Sequence, residues 1–342
     1  MARHSEKAAP SLSVLGGTLT PMREIGAAER LDARTASRLL ERQHGVLSRK
    51  QALAMGVTAA ALKHRLRPGG PWQRILPATY LTFTGEPSAE QRDMAAVLYA
   101  GPESVITGPA ALRLLWIRGP ETSRVDVLVE ARHKLQGRDF VAVHRTRRMP
   151  GTVLLKGALP LAPAARAVLD TAGWLTDLSD ARAVVAGAVQ ERRCTVADLE
   201  AELARGPRHR TALIRTVLAD VAAGIRSAPE GDLRDLIIAS NLPVPMFNPR
   251  LYLNGAFLAC PDAWWPATGV AVEVDSKAWH FSSEADWHQT TRRHTRMTAA
   301  GILVIHLTPR QLREEPARVA ADITAALSRG HAPAGITTEI AA

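Results

Sequence analysis

The sequence predicts an α/β protein of several domains. The chain has 342 residues, enough for two or three domains with substantial cores. Capped helical patterns dominate a basic segment near the amino end, whereas a two-residue turn signal and alternating charges indicate strands near the carboxyl end. Residues 1–30 and 331–342 lack periodicity and are predicted to be mobile tails.

Residues 31–100 are predicted to form a helix-turn-helix domain with a wing. Ser48-Arg-Lys-Gln51 is a capping box that opens a short helix, and Thr58 begins the next one. Two short helices joined by a turn that contains glycine are typical of the helix-turn-helix arrangement. Residues 72–82 then form a predicted β-ribbon, or wing.

The charge of this segment indicates a polyanionic partner. The whole chain has a formal net charge of +10 and a pI of about 10.4, and residues 32–80 alone hold nine Lys/Arg against two acids, a net charge of +7. Such a surface attracts DNA phosphates. The alternative is a small helical domain used for protein contacts. The predicted DNA-binding residues are Arg49, Lys50, Lys63, His64, Arg65, Arg67 and Arg74.

Two runs in this segment carry a family resemblance: His44-Gly-Val-Leu-Ser-Arg-Lys-Gln-Ala and Arg74-Ile-Leu-Pro-Ala-Thr-Tyr80. Through them, residues 33–84 resemble the winged-helix amino-terminal domain of AbiEi-type antitoxins. The resemblance implies a winged helix-turn-helix fold that binds DNA. Residues 101–226 resemble the second part of AbiEi-like proteins and are predicted to be an α/β connector.

Alternating charges near the carboxyl end are the most informative feature of the chain. In Glu273-Val-Asp275-Ser-Lys277 the charged side chains occupy every other position and share one face of a predicted strand, roughly 6–7 Å apart. The valines that alternate with them form an apolar face. Asp262 lies eleven residues before Glu273, at the end of the preceding predicted strand. The alternative is a solvated sheet face.

Two acids beside a lysine suit metal-dependent cleavage of a phosphodiester. A divalent cation takes oxygen ligands and activates water, and the ammonium group stabilises the charge that builds on the phosphate. Lys277 is the only lysine after Lys156 in an arginine-rich chain, which indicates that a compact, pKa-tunable charge is needed there. The sequence therefore predicts a nuclease site that uses Mg²⁺ or Mn²⁺.

The order of predicted elements around this motif carries a second resemblance. Residues 227–328 resemble the PD-(D/E)xK nuclease superfamily, in particular the very-short-patch-repair-like domain found at the end of many bacterial chains. The resemblance implies a restriction-endonuclease-like αβββαβ core over residues 227–330. The supporting elements are a helix at 231–240, an Asn-Gly hairpin at 250–260, the motif strand, a helix at 284–300 and a strand at 301–307.

The family pattern implies Asp262 and Glu273 as metal ligands. Two assignments of the remaining motif stay open. Either Glu273 and Asp275 are the family's acid pair, with Asp275 in the position usual for lysine, or Asp275-Ser-Lys277 is the literal Asp-x-Lys motif. Asp275 is included among the predicted metal ligands, and Lys277 among the predicted catalytic residues.

Other candidate residues have two interpretations each. Glu230 either completes a capping box with Ser227 or, as superfamily members imply, lies near the metal. His280 is either a proton carrier or a polar surface residue. Arg292 and Arg293, on the predicted helix, either hold the DNA backbone or form a solvated face.

Composition argues against several classes of protein. No apolar run approaches twenty residues, the amino end lacks a signal-peptide core, and Cys194 and Cys260 are too few for a disulfide framework or a zinc site. We therefore predict a cytoplasmic protein that binds DNA and does not bind a membrane. A second copy of the chain, or a toxin-like protein, is a further candidate partner.

The predicted function is Mg²⁺-dependent endonuclease cleavage of DNA, in a defence, toxin–antitoxin or DNA-repair context. The alternative is a non-catalytic, antitoxin-like transcriptional regulator with a degenerate nuclease fold.

Overall fold

The computed structural model describes residues 13–16, 32–206, 211–222, 225, 227–274 and 284–340, with only the backbone described at 13–16, 284–290 and 340. Over these residues the chain is mixed α/β, as predicted, and forms several β-sheets. None of the helices in the described ranges combines the length and the apolar character needed to cross a bilayer.

The helices and strands are numbered in chain order. Up to residue 174 they are β1 (Ser13–Gly16), α1 (Ala33–Arg42), β2 (Val46–Ser48), α2 (Arg49–Ala54), α3 (Ala59–Arg65), β3 (Gln73–Leu76), β4 (Thr79–Leu81), α4 (Ala89–Ala100), β5 (Val105–Thr107), α5 (Gly108–Leu114), β6 (Val125–Glu130), β7 (Val141–Thr146), β8 (Thr152–Lys156), β9 (Leu159–Leu161) and α6 (Ala164–Trp174). The later ones are α7 (Leu178–Gln190), α8 (Val196–Arg205), α9 (Ala212–Ala222), α10 (Ala228–Ala239), β10 (Met246–Phe247), β11 (Pro249–Leu253), β12 (Ala256–Ala259), β13 (Ala263–Trp265), β14 (Val270–Val274), α11 (Glu284–Ala299), β15 (Leu303–Leu307), α12 (Pro309–Glu314), α13 (Pro316–Arg329) and β16 (Ile336–Ile340).

The chain divides into two compact units. The amino unit takes Met1–Trp174 and Glu191–Arg208, and the carboxyl unit takes Leu175–Gln190 and His209–Ala342. These divisions differ from the predicted boundaries after residues 100 and 226. The physical reason at the first boundary is α4, which packs against strands of both sheets of the amino unit and so joins the segments on either side of it.

The segment predicted to be a helix-turn-helix domain contains α1, α2 and α3 and an antiparallel sheet of order β2-β4-β3. Its predicted helix starts are confirmed. Ser48 and Gln51 form the capping box of α2, and the Thr58 side chain accepts the N–H of Ala61 at the start of α3. Gly56, in the turn between them, has φ +83°, which suits a residue without a Cβ.

A six-stranded sheet of order β1-β8-β9-β5-β6-β7 forms the rest of the amino unit's strand framework. Its strand β1 falls inside the segment predicted to be an amino-terminal tail, and it pairs antiparallel with β8. Likewise β16 falls inside the predicted carboxyl-terminal tail and pairs antiparallel with β11 in the carboxyl unit. Edge pairing of this kind is set by a distant strand, so a short segment without periodicity gives no signal of it.

The strands of the carboxyl unit form two sheets, of order β10-β13-β14-β15 and β12-β11-β16. The predicted hairpin is confirmed, because β11 and β12 pair across Asn254 and Gly255, whose φ angles are +51° and +83°. The predicted order of helix, hairpin, motif strand, helix and strand is also found. However, the hairpin belongs to a different sheet from the motif strand β14, so the predicted αβββαβ core is divided between two sheets.

Strand β14 lies at the centre of the carboxyl unit between two apolar clusters. Val270 and Val272 pack in one cluster with residues of α10, α12 and α13. Ala271, on the opposite face, packs in the other with Trp264 and Met297. β14 pairs antiparallel with β13 and parallel with β15 after the α11 crossover. A strand buried on both faces positions its carboxyl end with little freedom.

A buried ion network connects α7 with α9 and α10 in the carboxyl unit. The Arg182 side chain is 1% exposed and donates to Asp220 at 2.7 Å and to Asp235 at 2.7 Å. Gly231 allows this approach, because a Cβ at that position would lie 2.5 Å from Arg182 Cδ. The network explains why Leu175–Gln190 belongs to this unit and not to the predicted connector.

Candidate functional site

Glu273 is a buried carboxylate at the carboxyl end of β14. The residue is 3% exposed, so the alternative of a solvated sheet face is wrong for this position. Its side chain lies on the face opposite Val272, as period 2 requires. Parallel pairing sets it beside His306 of β15. Burying a carboxylate is costly unless other groups compensate its charge. The groups around Glu273 therefore define the candidate site.

Asp262 lies beside Glu273, immediately before β13. One of its carboxylate oxygens, Oδ2, accepts the backbone N–H of Val274 at 2.6 Å. Burial, and then repulsion from the carboxylates of Glu230 and Glu273, raise the pKa of Asp262 to about 7, although the Val274 hydrogen bond acts in the other direction. The two predicted metal ligands therefore share one electrostatic environment.

Glu230 supplies a third carboxylate, from the first turn of α10. The Ser227 hydroxyl accepts the Glu230 N–H at 3.4 Å, which confirms that Ser227 caps the helix. The Glu230 carboxylate also accepts that hydroxyl at 2.9 Å and the Asn248 side-chain amide at 2.7 Å. Because its charge raises the pKa of Asp262, Glu230 also lies near the predicted metal ligands. Ser227 therefore caps the helix as predicted, but the Glu230 carboxylate binds the Ser227 hydroxyl, so the reciprocal backbone bond of a capping box is not formed. The position near the predicted metal ligands, in contrast, is found.

Arg293 of α11 provides the positive charge nearest to Glu273 among the described residues. Its Nη2 donates to Glu273 Oε2 at 3.0 Å. The other oxygen, Glu273 Oε1, is buried and has no hydrogen-bond partner among the described residues, and the same holds for Arg293 Nε. His306 Nδ1 lies 3.8 Å from Glu273 Oε2, and its Nε2 lies 2.9 Å from His294 Nδ1.

The donor chemistry of this site fits a hard divalent cation. Burial, and then the carboxylates of Glu230, on α10, and Glu273, at the end of β14, raise the pKa of Asp262, in the loop before β13, to about 7. The orphaned Glu273 oxygen offers a lone pair that no described residue uses. Oxygen donors of this kind are what Mg²⁺ and Mn²⁺ bind.

The three carboxylates are not drawn into one tight cluster. Within the described ranges, the ligand atoms of only one group of three such side chains lie within 4.8 Å of one another, and that group is Glu103, Glu130 and His133 of the amino unit. Arg132 already pairs with both of these glutamates, at 3.1 and 2.6 Å, and the side chains are about half exposed. These features are typical of a surface ion-pair network, so we assign no metal to it.

The structure leaves part of the predicted site untested. Asp275, Lys277 and His280 lie outside the described residues. Of the predicted site residues, Glu230, Asp262, Glu273 and Arg293 are brought together. Arg292 is exposed on α11.

Asn248 and His306 belong to this site but were not predicted from the sequence. Asn248 is 5% exposed, has φ +53° and holds Glu230. Asparagine tolerates the left-handed region better than most residues, so its place between two strand signals could have drawn attention to it. His306 follows from the parallel register of β14 and β15, which the sequence alone does not set.

The predicted DNA-binding residues of the amino unit are mostly exposed. Arg65 is the exception, because it is half-buried with its guanidinium 5.0 Å from the centroid of the Trp72 ring. Arg67 donates to His64 Nε2 at 2.6 Å. These side chains occupy the start of α2, the end of α3 and strand β3 of one small sheet-and-helix region. The exposed members of the set are Arg49, Lys50, Lys63, His64, Arg67 and Arg74.

Comparison with known proteins gives similarity without an activity. No protein-family model matches the chain. Over 150 residues the chain is 28% identical to the uncharacterized proteins MT2308 and Rv2248 of Mycobacterium tuberculosis, from strains CDC 1551 / Oshkosh and ATCC 25618 / H37Rv. The match covers 44% of this chain and 55% of each relative, so the chain spans about half the length of the curated relatives it matches.

Proposed function

We propose that this chain binds DNA through its amino unit and cleaves DNA phosphodiesters through a metal-dependent site in its carboxyl unit. The observation that carries the proposal is the buried Glu273, with one orphaned oxygen, beside Asp262 and Glu230. A cluster of acids with a purely structural role would be expected to leave fewer buried negative charges without a compensating cation. This site supports the resemblance to the PD-(D/E)xK superfamily that residues 227–328 carry in their sequence.

In this proposal Asp262 and Glu273 hold Mg²⁺ or Mn²⁺, and Glu230 lies at the edge of the metal site. A cation bound there would lower the pKa of a bound water and polarise a phosphate oxygen. The Asn248 amide orients the Glu230 carboxylate, and the Val274 N–H orients Asp262. Asp275 and Lys277 would complete the site from the segment that follows β14.

The amino unit supplies the DNA contacts in this proposal. Three helices followed by a two-strand ribbon, on a sheet of order β2-β4-β3, suit the winged helix-turn-helix fold that the sequence resembles. The basic residues at the start of α2 and the end of α3 are exposed, as phosphate-binding side chains must be. The net charge of +7 over residues 32–80 favours this surface over a protein-contact role.

Cleavage of a supercoiled plasmid tests the proposal. The full chain is incubated with Mg²⁺ or Mn²⁺, with and without chelator, and nicked and linear products are measured. We expect metal-dependent cleavage that Glu273→Gln and Asp262→Asn each reduce by at least about 10²-fold. Asp322→Asn, the same change at an exposed acid of α13, serves as the control and should cleave as the wild type does.

A second candidate function is a non-catalytic DNA-binding regulator. The observation that favours it is the Arg293–Glu273 ion pair, which already places a cation at the site. In this case the chain would bind duplex DNA but leave single-stranded, duplex, nicked and mismatched substrates intact in Mg²⁺ and Mn²⁺. Calorimetric titration with no metal binding at millimolar concentration would favour the regulator as well.

A further inference from the structure

The Arg293–Glu273 ion pair is only half formed. Its single hydrogen bond joins Arg293 Nη2 to Glu273 Oε2 at 3.0 Å. A bidentate pair would use two nitrogens and two oxygens. Here Arg293 Nε and Glu273 Oε1 are both buried and have no hydrogen-bond partner among the described residues. One pair of side chains therefore leaves a buried donor and a buried acceptor unused, which is costly for each group.

The two unused atoms call for ligands of opposite charge. Glu273 Oε1 is an anionic oxygen and attracts a cation, whereas Arg293 Nε is a cationic donor and attracts an anionic oxygen. A divalent cation with a phosphate oxygen supplies both, and neither part alone does. Arg293 is half-buried on α11, with its side chain 42% exposed, while Glu273 is held inside the sheet. Of the two partners, Arg293 is therefore the one that can move.

We propose that Arg293 changes partner during the reaction cycle: it neutralises Glu273 in the metal-free protein and transfers to a DNA phosphate oxygen when the cation binds. This inference rests on the proposed function and adds a self-inhibitory contact to it. Arg293 competes with the metal for Glu273 in the free protein. Once displaced, the guanidinium is a phosphate contact placed beside the metal site, so metal binding and DNA binding strengthen each other.

Metal affinity without turnover tests the first half of this inference. Mn²⁺ is titrated calorimetrically into the full-length wild type, Arg293→Gln and Arg296→Gln. Arg296 is the matched control, because it lies on the same helix but donates to the backbone carbonyl of Phe257. We expect Arg293→Gln to bind Mn²⁺ about tenfold more tightly than the wild type, and Arg296→Gln to stay within about twofold.

Duplex affinity tests the second half. Binding of a short duplex is measured in Ca²⁺, as a probe cation expected not to support cleavage, and in chelator. The wild type should gain affinity when Ca²⁺ is added, and Arg293→Gln should lose most of that gain. If thermal melting shows that Arg293→Gln does not fold, Arg293→Lys replaces it, and we expect a Mn²⁺ affinity between those of the wild type and the glutamine variant, because lysine pairs less well with a carboxylate.

The possible outcomes distinguish a failure of this inference from a failure of the proposed function. Tighter Mn²⁺ binding together with a lost Ca²⁺ effect supports the exchange of partners. Equal Mn²⁺ affinity in the wild type and Arg293→Gln overturns the exchange but leaves the metal site in place. If neither protein binds Mn²⁺, the metal site itself fails, and the inference fails with it.

Discussion

Asp262 is a carboxylic acid whose surroundings disfavour its charge. Burial and two neighbouring carboxylates raise its pKa from 3.8 to about 7. Because the folded pKa is above the unfolded one, the folded state holds the proton more tightly. The resulting stability is fully present below about pH 4 and is lost as the pH rises through the folded pKa of about 7.

Asp262→Asn should remove this pH dependence in metal-free buffer. We expect the variant to be more stable than the wild type at pH 8, by on the order of 2 kcal/mol, and to differ less from it at pH 4.5. Urea unfolding at several pH values measures the effect. Asp322→Asn, at an exposed position, should follow the wild-type curve. A wild-type advantage at pH 8 would show that the Asp262 charge is compensated in the folded protein.

Asn248 combines an unusual backbone angle with a buried hydrogen bond to Glu230. Asn248→Ala removes the donor and places alanine at a φ of +53°. We expect a loss of about 2–4 kcal/mol in the free energy of unfolding. Asn254→Ala is the control, because Asn254 has φ +51° in the hairpin turn without that contact. Equal losses in the two variants would mean that the bond to Glu230 contributes little.

Lys277 and Asp275 distinguish the two assignments of the motif. If Asp275-Ser-Lys277 is the working Asp-x-Lys, Lys277→Ala should reduce plasmid cleavage by about 10²–10³-fold with little change in DNA affinity, since a positioned charge acts on the transition state. If Glu273 and Asp275 are the acid pair, Asp275→Ala should be severe and Lys277→Ala mild. Both variants are compared in the same plasmid assay. If both changes are mild, neither assignment holds.

The end of α3 and strand β3 present the cations expected to contact DNA. Lys63 and Arg74 are exposed, whereas Arg65 stacks on Trp72. Changing Lys63 and Arg74 together to alanine should weaken duplex binding and make the salt dependence of affinity shallower by about 2 in log–log slope. Fluorescence titration at several salt concentrations measures both effects.

Arg65 provides a contrasting variant for the same surface. Arg65→Ala should lower thermal stability through lost packing on Trp72, with a smaller change in salt slope. An unchanged slope in the Lys63 and Arg74 double variant would place the DNA contact elsewhere.

The buried ion network of α7, α9 and α10 is expected to be sensitive to a single substitution. Arg182→Met leaves Asp220, whose side chain is 1% exposed, without its principal partner. We expect a loss of about 3–5 kcal/mol in the free energy of unfolding. Arg318→Met breaks an exposed pair with Glu315 at 2.9 Å and should cost under about 1 kcal/mol. If the two variants proved equally stable, Arg234 would be sufficient to hold Asp220.

Local signals predicted the elements well. Ser48, Thr58 and Ser227 cap the helices that they were expected to start, and Asn254-Gly255 forms the expected turn. Each of these features depends on residues a few positions apart. The sequence also predicted that Asp262 and Glu273 would lie together. They do, although Asp262 does not end the preceding strand as predicted: it lies just before β13, which pairs antiparallel with β14.

Contacts between distant residues could not be predicted in the same way. The pairing of β1 and β16 with their partners, the separate sheet of the hairpin, and the Glu230–Asn248 bond join segments through tertiary packing. The burial of Glu273 also depends on which elements cover β14. Charged residues at alternate positions give the same sequence pattern whether that face of the strand is exposed to solvent or buried.

Taken as a whole, the molecule assigns its two proposed roles to separate compact units. The amino unit holds the exposed basic residues on and beside α2, α3 and β3, and the carboxyl unit holds the buried acids. This separation fits an arrangement in which one surface finds DNA by charge and another acts on the phosphate backbone.

The path of the chain between the units has a consequence for biosynthesis and for genetic rearrangement. Leu175–Gln190 belongs to the carboxyl unit, and the next segment, Glu191–Arg208, returns to the amino unit. On the ribosome, α7 therefore emerges before the amino unit is complete and must wait for α9 and α10 to be translated. No single recombination point divides the chain into two intact units, so we expect the two to be inherited together.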